Sequence, residues 1–346
     1  MRTIRDVARL AGVSTATVSF VINEKAHVSD ELKRRVLDAI DALNYRPNNV
    51  ARSLKVRRTQ TIGMVVPQIT NPFFGEIMTG VEFEAHKSGY SVIFCNSNED
   101  PALETLHLNI LFERRVDGIL LSSSNPLHMG DRRSTRRSPV VFVDRTPPGY
   151  LGAAVVGDNL GASREAARHL IGLGHSRIAI ITGPLNLPIC VERLEGFRQA
   201  LQEAVLPLAD DFVKCGDFRS ESGYLTGLEL MRLPDPPTAI FCSNNTMTLG
   251  LMRALGQLGI SCPEQVSVLA FDDFEWAASF RPQITAVAQP TREMGRLATE
   301  ILIKEIEADK AEAGSEKKQT VVLANELRVR DSTAPPNRSL LMLSST

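Results

Sequence analysis

At 346 residues, with 43% hydrophobic and 23% charged residues, the chain has the composition of an ordinary globular protein with more than one sizeable core. Its formal charge of −1 conceals an asymmetry: residues 1–60 hold 12 Lys/Arg against 6 Asp/Glu, and the other 286 hold 27 against 34, so a basic head precedes an acidic body and a polyanion is one candidate partner for the head. No apolar run of about 18 residues and no apolar signal core occur, and the five cysteines are scattered without a C-x-x-C pair, which argues against membrane insertion, secretion, a disulfide framework or a zinc site and predicts a cytoplasmic protein.

The first predicted elements are short helices. Ile4, Val7, Ala8 and Leu10 recur at helical spacing in IRDVARL, and Val18, Val21 and Ile22 do so in STATVSFVIN. Between them Ala11 and Gly12 allow a compact turn, and Ser14 is placed to cap the second helix. A third helix is expected from about Asp30 to Leu43, after Ser29, burying Leu32, Val36, Leu37 and Ile40. Together they describe a helix-turn-helix unit whose second helix enters the major groove. Thr15, Ala16 and Phe20 then face base edges, while Thr3, Ser14, Ser19 and Asn23 reach phosphates. Spacing alone leaves open a three-helix packing domain with a basic surface.

The stretches TIRDVARLAGVSTATVSFVIN and HVSDELKRRVLDAIDALNYRPNNVARSLK resemble the DNA-binding headpiece of the LacI/GalR family of bacterial transcription regulators, almost without gaps from Thr3 to Lys55. The resemblance implies a headpiece over 1–46, with Thr17 and His27 joining the DNA contacts, and a hinge over 47–60. There Arg52 and Lys55 would meet phosphates, and Leu54, one copy per subunit, would wedge into the minor groove. The position matching Phe20 is frequently Arg or His in that family, so a bidentate donor is replaced here by a ring. Asn48–Lys55 covers only about two helical turns and is expected to fold only when DNA and a dimer partner supply contacts.

From Thr61 the pattern alternates: TIGMVVP, a helix FFGEIMTGVEFEAHKSG, YSVIFCNS, a helix PALETLHLNILFERRV, and DGILLSS. It repeats with RIAIITG, VERLEGFRQALQEA, FVKCGD, ESGYLTGLELMR, TAIFCSN, MTLGLMRALGQLG and VSVLAFD. This predicts α/β architecture, two Rossmann-like halves whose ligands bind beyond the carboxyl ends of the strands. The resemblance continues here: the body is similar to the family's effector and dimerisation domain (61–331), itself similar to periplasmic sugar-binding proteins. It implies three crossings between lobes, with lobe one about 61–159 and 288–320, lobe two about 160–287 and 321–331, and a loose tail over 332–346.

Polar residues recur where the strands end: Asp144, Asn244, Asp272 and Gln289, with Arg193 opening a helix and Phe73, Phe74 and Phe218 in nearby loops. Taken singly each also serves as a helix cap, turn or core residue. Carboxylates, amides, guanidinium and rings together suit a polyhydroxylated ligand. In order, NPFF, VDR, ERLEGF, GDF, SN, FDD and AQP resemble the pocket positions of sugar-binding members, which adds Arg145. A monosaccharide, sugar acid or polyol is therefore expected as effector, alongside double-stranded operator DNA and a second copy of the chain as partners. Purine-binding members carry an Arg and a Thr where this chain has Leu187 and Ile189, which points away from a nucleobase, the alternative effector. The family's S-N-D is Ser243-Asn244-Asn245 here, one carboxylate fewer.

No dinucleotide fingerprint, P-loop, G-x-S-x-G or H-E-x-x-H motif is present, and the six histidines form no ligand cluster. No catalytic residue, metal or cofactor is expected. A solute-binding protein would share the pocket but carry a secretion signal and lack the basic head. A ligand-controlled repressor of carbohydrate-metabolism genes is the remaining expectation.

Overall fold

The computed structural model describes residues 2–23, 28–45, 58–124, 138–150, 152–308 and 320–337. The chain divides into two units, Met1–Thr59 and Gln60–Thr346.

In the first unit the helices are α1 (Ile4–Ala11), α2 (Thr15–Asn23) and α3 (Asp30–Ala42). Gly12 closes α1 in the left-handed conformation, φ 64°, where a side chain would be strained. Ser14 caps α2 as expected, its Oγ accepting from the Thr17 N–H at 3.0 Å. Arg35 ties α3 to α1 by donating to the Ala11 carbonyl at 2.6 Å. Val7, Ala11, Val18, Val21, Val36 and Ala39 form the core. Leu37, expected inside, is 45% exposed: the inward face of α3 runs through Val36, Ala39 and Ile40, and Leu37 lies about 100° round the helix from Val36. Leu32 is only half-buried.

The second unit begins with β1 (Thr61–Val66), α4 (Pro72–Lys87), β2 (Ser91–Asn96), α5 (Pro101–Glu113), β3 (Gly118–Leu121), β4 (Val140–Val143) and β5 (Ala154–Gly157). Lobe two follows with α6 (Asn159–Gly172), β6 (Ile178–Thr182), α7 (Pro188–Glu203), β7 (Val213–Cys215), α8 (Ser220–Met231), β8 (Ala239–Cys242), α9 (Asn245–Leu258), β9 (Ser267–Phe271) and β10 (Thr285–Ala288). Then come α10 (Thr291–Ala308), β11 (Thr320–Leu323) and β12 (Glu326–Arg328). One six-stranded sheet has the order β2-β1-β3-β4-β5-β11 and the other β7-β6-β8-β9-β10-β12, so the two lobes repeat one doubly wound plan. All described pairings are parallel except β10 with β12. The strands are apolar runs such as TIGMVV and SVLAF because helices cover both faces.

Lobe one also recruits α10, which crosses α4 so closely that a Cβ on Gly80 would lie 2.0 Å from the Arg292 carbonyl oxygen. Residues between 157 and 159, 288 and 291, and 323 and 326 connect the two sheets. The third crossing therefore falls after Leu323, because β11 pairs with β5, and not at 320/321 as expected. The described part of the expected loose tail is docked: Ser332, fully buried, donates to the Val268 carbonyl at 2.6 Å and accepts from the Thr285 N–H at 2.8 Å. The Ala334 carbonyl meets His175 Nε2 at 2.9 Å. Turn-forming composition hid backbone partners supplied by two strands of lobe two. Among the described residues no helix is long and apolar enough to cross a membrane, and no group of three or more His, Cys, Asp or Glu could hold a metal.

Candidate functional site

Where β4 ends, Asp144 turns into the left-handed region at φ 67°; Phe218 after β7 and Asp272 after β9 do the same at 66° and 70°. Such conformations are uncommon outside glycine and, for a bulky residue, strained, so they persist only where the surroundings impose them. All three side chains are buried, as are Arg145, Arg193 and Asn244. All but Arg193, which α7 supplies, follow the carboxyl ends of strands in the two sheets, which face each other across a cleft.

The cleft is closed. Asn245 Nδ2 donates across it to Asn71 Oδ1 at 2.9 Å, and the Arg145 guanidinium of lobe one lies 4.8 Å from the ring centroid of Phe218 in lobe two. Phe74 approaches the same guanidinium at 5.8 Å. Phe73 and Phe74 are not in a loop as expected: Asn71 caps α4, accepting from the Phe73 N–H at 3.0 Å, and Pro72 takes the first helical position, where its missing N–H costs nothing. Both rings belong to the lobe-one core.

Arg145 forms a forked pair with Glu99, Nη1 to Oε2 at 2.7 Å and Nη2 to Oε1 at 3.0 Å, while its Nε stands 3.6 Å from Asp144 Oδ2. Arg193 lies inside α7, in its second turn rather than at its start. It donates from Nε to Asn159 Oδ1 at 2.8 Å and from Nη1 to the Ser243 carbonyl at 2.7 Å, with its guanidinium 3.7 Å from the Phe271 ring centroid. Asn244 caps α9, accepting from the Met247 N–H at 3.0 Å. Gln289, on the second crossing, donates to Asp272 Oδ1 at 2.6 Å. Its own Oε1 and the Arg145 Nε are buried without a hydrogen-bond partner.

Burial pushes the Asp144 carboxyl up to about 6, against the pull of Arg145 and Arg193. Asp272 is raised for the same reason, with Arg193 and the Gln289 hydrogen bond opposing. Its neighbour Asp273 turns away; burial opposes its charge, but ion pairs with Arg330 at 2.7 Å and Arg328 at 2.9 Å hold it below the usual carboxylate range. Asp144, Arg145, Arg193, Phe218, Asn244, Asp272 and Gln289 thus come together between the two sheets, whereas Phe73 and Phe74 are packed in the lobe-one core, Phe74 within 5.8 Å of the Arg145 guanidinium. Sequence reading missed Glu99, Asn159 and the buried Glu104, which accepts from Ser123 Oγ at 2.9 Å; only the acidic NED after β2 could have signalled the first.

On the helical unit Thr15, Ala16 and Phe20 are exposed, and Thr17 and Ser19 half-buried. Thr3 and Ser14 have local partners, Asp6 and Thr17. The side chain of Asn23 and all of His27, Arg52, Leu54 and Lys55 lie outside the described residues.

A helix-turn-helix unit joined to a two-lobed α/β cleft with buried, convergent polar groups defines a ligand-responsive DNA-binding regulator. Residues 3–48 match the family described as bacterial regulatory proteins, lacI family, and residues 167–333 match a periplasmic binding protein-like domain. The HTH-type transcriptional repressor PurR of Vibrio parahaemolyticus is 41% identical over 308 residues, covering 88% of this chain and 92% of that one. Two solved structures are similar over 96% of this chain: a CelR–cellobiose complex (34% identity, TM-score 0.71, 100% of that chain) and the lac repressor dimer bound to operator and the anti-inducer ONPF (26%, 0.84, 99%). The chain belongs to the LacI family of DNA-binding transcriptional repressors, a family of regulators and not of enzymes.

Proposed function

We propose that this repressor binds a pseudo-palindromic operator as a homodimer, in the manner of the lac repressor dimer, and that the cleft binds a small polyhydroxylated effector, a monosaccharide or its relative. One observation carries the effector reading: Asp144, Asn244, Asp272 and Gln289 converge from four strand ends in a closed cleft beside the Phe74 and Phe218 rings. Carboxylates and amides pair with hydroxyls, and rings cover C–H faces. The similarity to the CelR–cellobiose complex supports it.

A nucleobase is the second reading, and by relatedness alone it is the better supported, since the matching curated repressors are named PurR. Against it stand Leu187 and Ile189, both buried and apolar, where purine-binding members place an Arg and a Thr: without these a base would leave ring nitrogens and carbonyls unpaired. Isothermal titration of the whole chain with pentoses, hexoses, disaccharides and nucleobases separates the two, and tight binding of a nucleobase alone would sink the sugar reading.

Coupling to DNA follows from closure. A ligand that bridges both sheets favours the closed form and so biases the paired segments 47–60 toward one spacing. Thr15, Ala16 and Phe20 read base edges, and Phe20 brings an apolar ring with no hydrogen-bond donor, so it selects for contact such as a thymine methyl and not for a guanine edge. A gel-shift titration with and without the ligand reads the sign of control.

A further inference from the structure

We infer that the cleft accepts only an uncharged effector, and that Glu99 is the residue that enforces this. The inference deepens the reading given above and rests on the cleft being the effector site.

A buried arginine between two lobes is ordinarily a receptor for a carboxylate or phosphate, because its planar fork matches two oxygens at once. Here that fork is already occupied. Both terminal nitrogens of Arg145 are spent on Glu99, at 2.7 and 3.0 Å, and the Glu99 backbone is held in the left-handed region, φ 59°, where it reaches back from the loop after β2. What remains is the Nε, without a hydrogen-bond partner, which is a single donor of the kind that a hydroxyl or carbonyl oxygen satisfies. Arg193 is likewise engaged, by Asn159 and the Ser243 carbonyl.

The charges point the same way. Two guanidinium groups, Arg145 and Arg193, face three carboxylates, Asp144, Asp272 and Glu99, and the cleft excludes water over most of this set. An anionic ligand would add a fourth negative charge in a low-dielectric space where Glu99 holds the end-on fork of Arg145 and the Asp144 carboxylate stands 3.6 Å from its side-on Nε. A neutral polyol adds none: its hydroxyls donate to Asp144 and Asp272, and accept from the Arg145 Nε. Glu99 thus selects by rejection, making the cleft poor for sugar acids and phosphorylated sugars.

The test is isothermal titration of the full chain, wild type and Glu99→Gln, with matched pairs differing in one charge: D-galactose and D-galacturonate, D-glucose and D-glucuronate, uracil and orotate. The wild type is expected to bind a neutral member roughly 100-fold more tightly than its acid, and Glu99→Gln to shrink that ratio by about tenfold or more, chiefly by gaining affinity for the acid. An acid that binds the wild type as well as its neutral partner overturns the inference, as does a ratio unchanged by Glu99→Gln. Binding confined to the uracil pair sinks the monosaccharide reading while the orotate arm still tests the charge rule. A thermal-shift titration with malonate needs no cognate ligand: Glu99→Gln should gain melting temperature over both the wild type and the Glu99→Gln/Arg145→Gln double variant, and equal shifts in all three overturn the inference. Glu99→Ala run in parallel gives the same readouts if the glutamine variant does not fold.

Discussion

Replacing Asp144 by Asn should make the ligand-free protein more stable and the effector weaker. The side chain is buried, and its pKa of about 6 in the fold against 3.8 for an unperturbed aspartate already includes the attraction of Arg145 and Arg193. A shift of about two units corresponds to about 3 kcal/mol lost on folding at neutral pH. The direction follows from proton counts: between the two pKa values the folded chain holds the proton more often than the unfolded one, so raising the pH through this window destabilises the fold, and the penalty is complete above about 6 and absent below 3.8. Asn has a similar shape and tolerates the left-handed backbone at this position. Asp144→Asn should therefore gain about 1–3 kcal/mol at pH 7.5, with roughly half of the gain left at pH 5. Effector affinity should fall by roughly 10- to 100-fold as a hydrogen bond to a charged acceptor is lost. Thermal unfolding at several pH values reads the first effect and isothermal titration the second. A variant less stable than the wild type at pH 7.5, or a difference that does not change with pH, would refute the account of Asp144 as a desolvated carboxylate retained for binding.

The same carboxylate predicts that effector affinity of the wild type falls as the pH is lowered through about 6, measurable by titration at pH 5.5 and 7.5; equal affinities would count against a role for the ionised form. Asn245→Ala removes the bond across the cleft to Asn71 and should cost the closed form about 1 kcal/mol, roughly a fivefold shift toward open, seen as a larger radius of gyration by small-angle scattering; an unchanged radius speaks against a latch. Ser332→Ala leaves the Thr285 N–H and the Val268 carbonyl short of their partner and should lower stability by about 1–3 kcal/mol, whereas a loose tail would lose nothing. Leu54→Ala is expected to weaken operator binding and reduce bending without altering effector affinity; unchanged bending rejects the wedge.

Periodicity made the two doubly wound lobes legible, because strands buried on both faces read as continuous apolar runs. It did not place β11, whose membership of lobe one is set by pairing with β5, more than 150 residues earlier in the chain. The cleft residues Asp144, Asn244, Asp272 and Gln289 were visible as polar residues ending apolar strands. Glu99 was not, since nothing in an acidic loop shows that it folds back onto a particular arginine. Phe73 and Phe74 read both as the first residues of a helix and as loop residues after a strand; the Asn-Pro pair before them settles it, because Asn71 caps the helix and Pro72 starts it. Leu37 shows the opposite error: an apolar residue next to the core stripe was read as part of it.

The three crossings between lobes have a consequence for how the chain is made. Each sheet awaits a strand that is translated after residue 319, and lobe one lacks both β11 and the α10 cover over α4 until β6 to β10 of lobe two have been synthesised. At about 5–20 residues per second, β5 waits on the order of ten seconds for the strand that will lie beside it. The helical unit, contiguous and complete within the first fifty or so residues, needs none of this. A nascent or truncated product would therefore possess the part that reads DNA well before the part that regulates the reading.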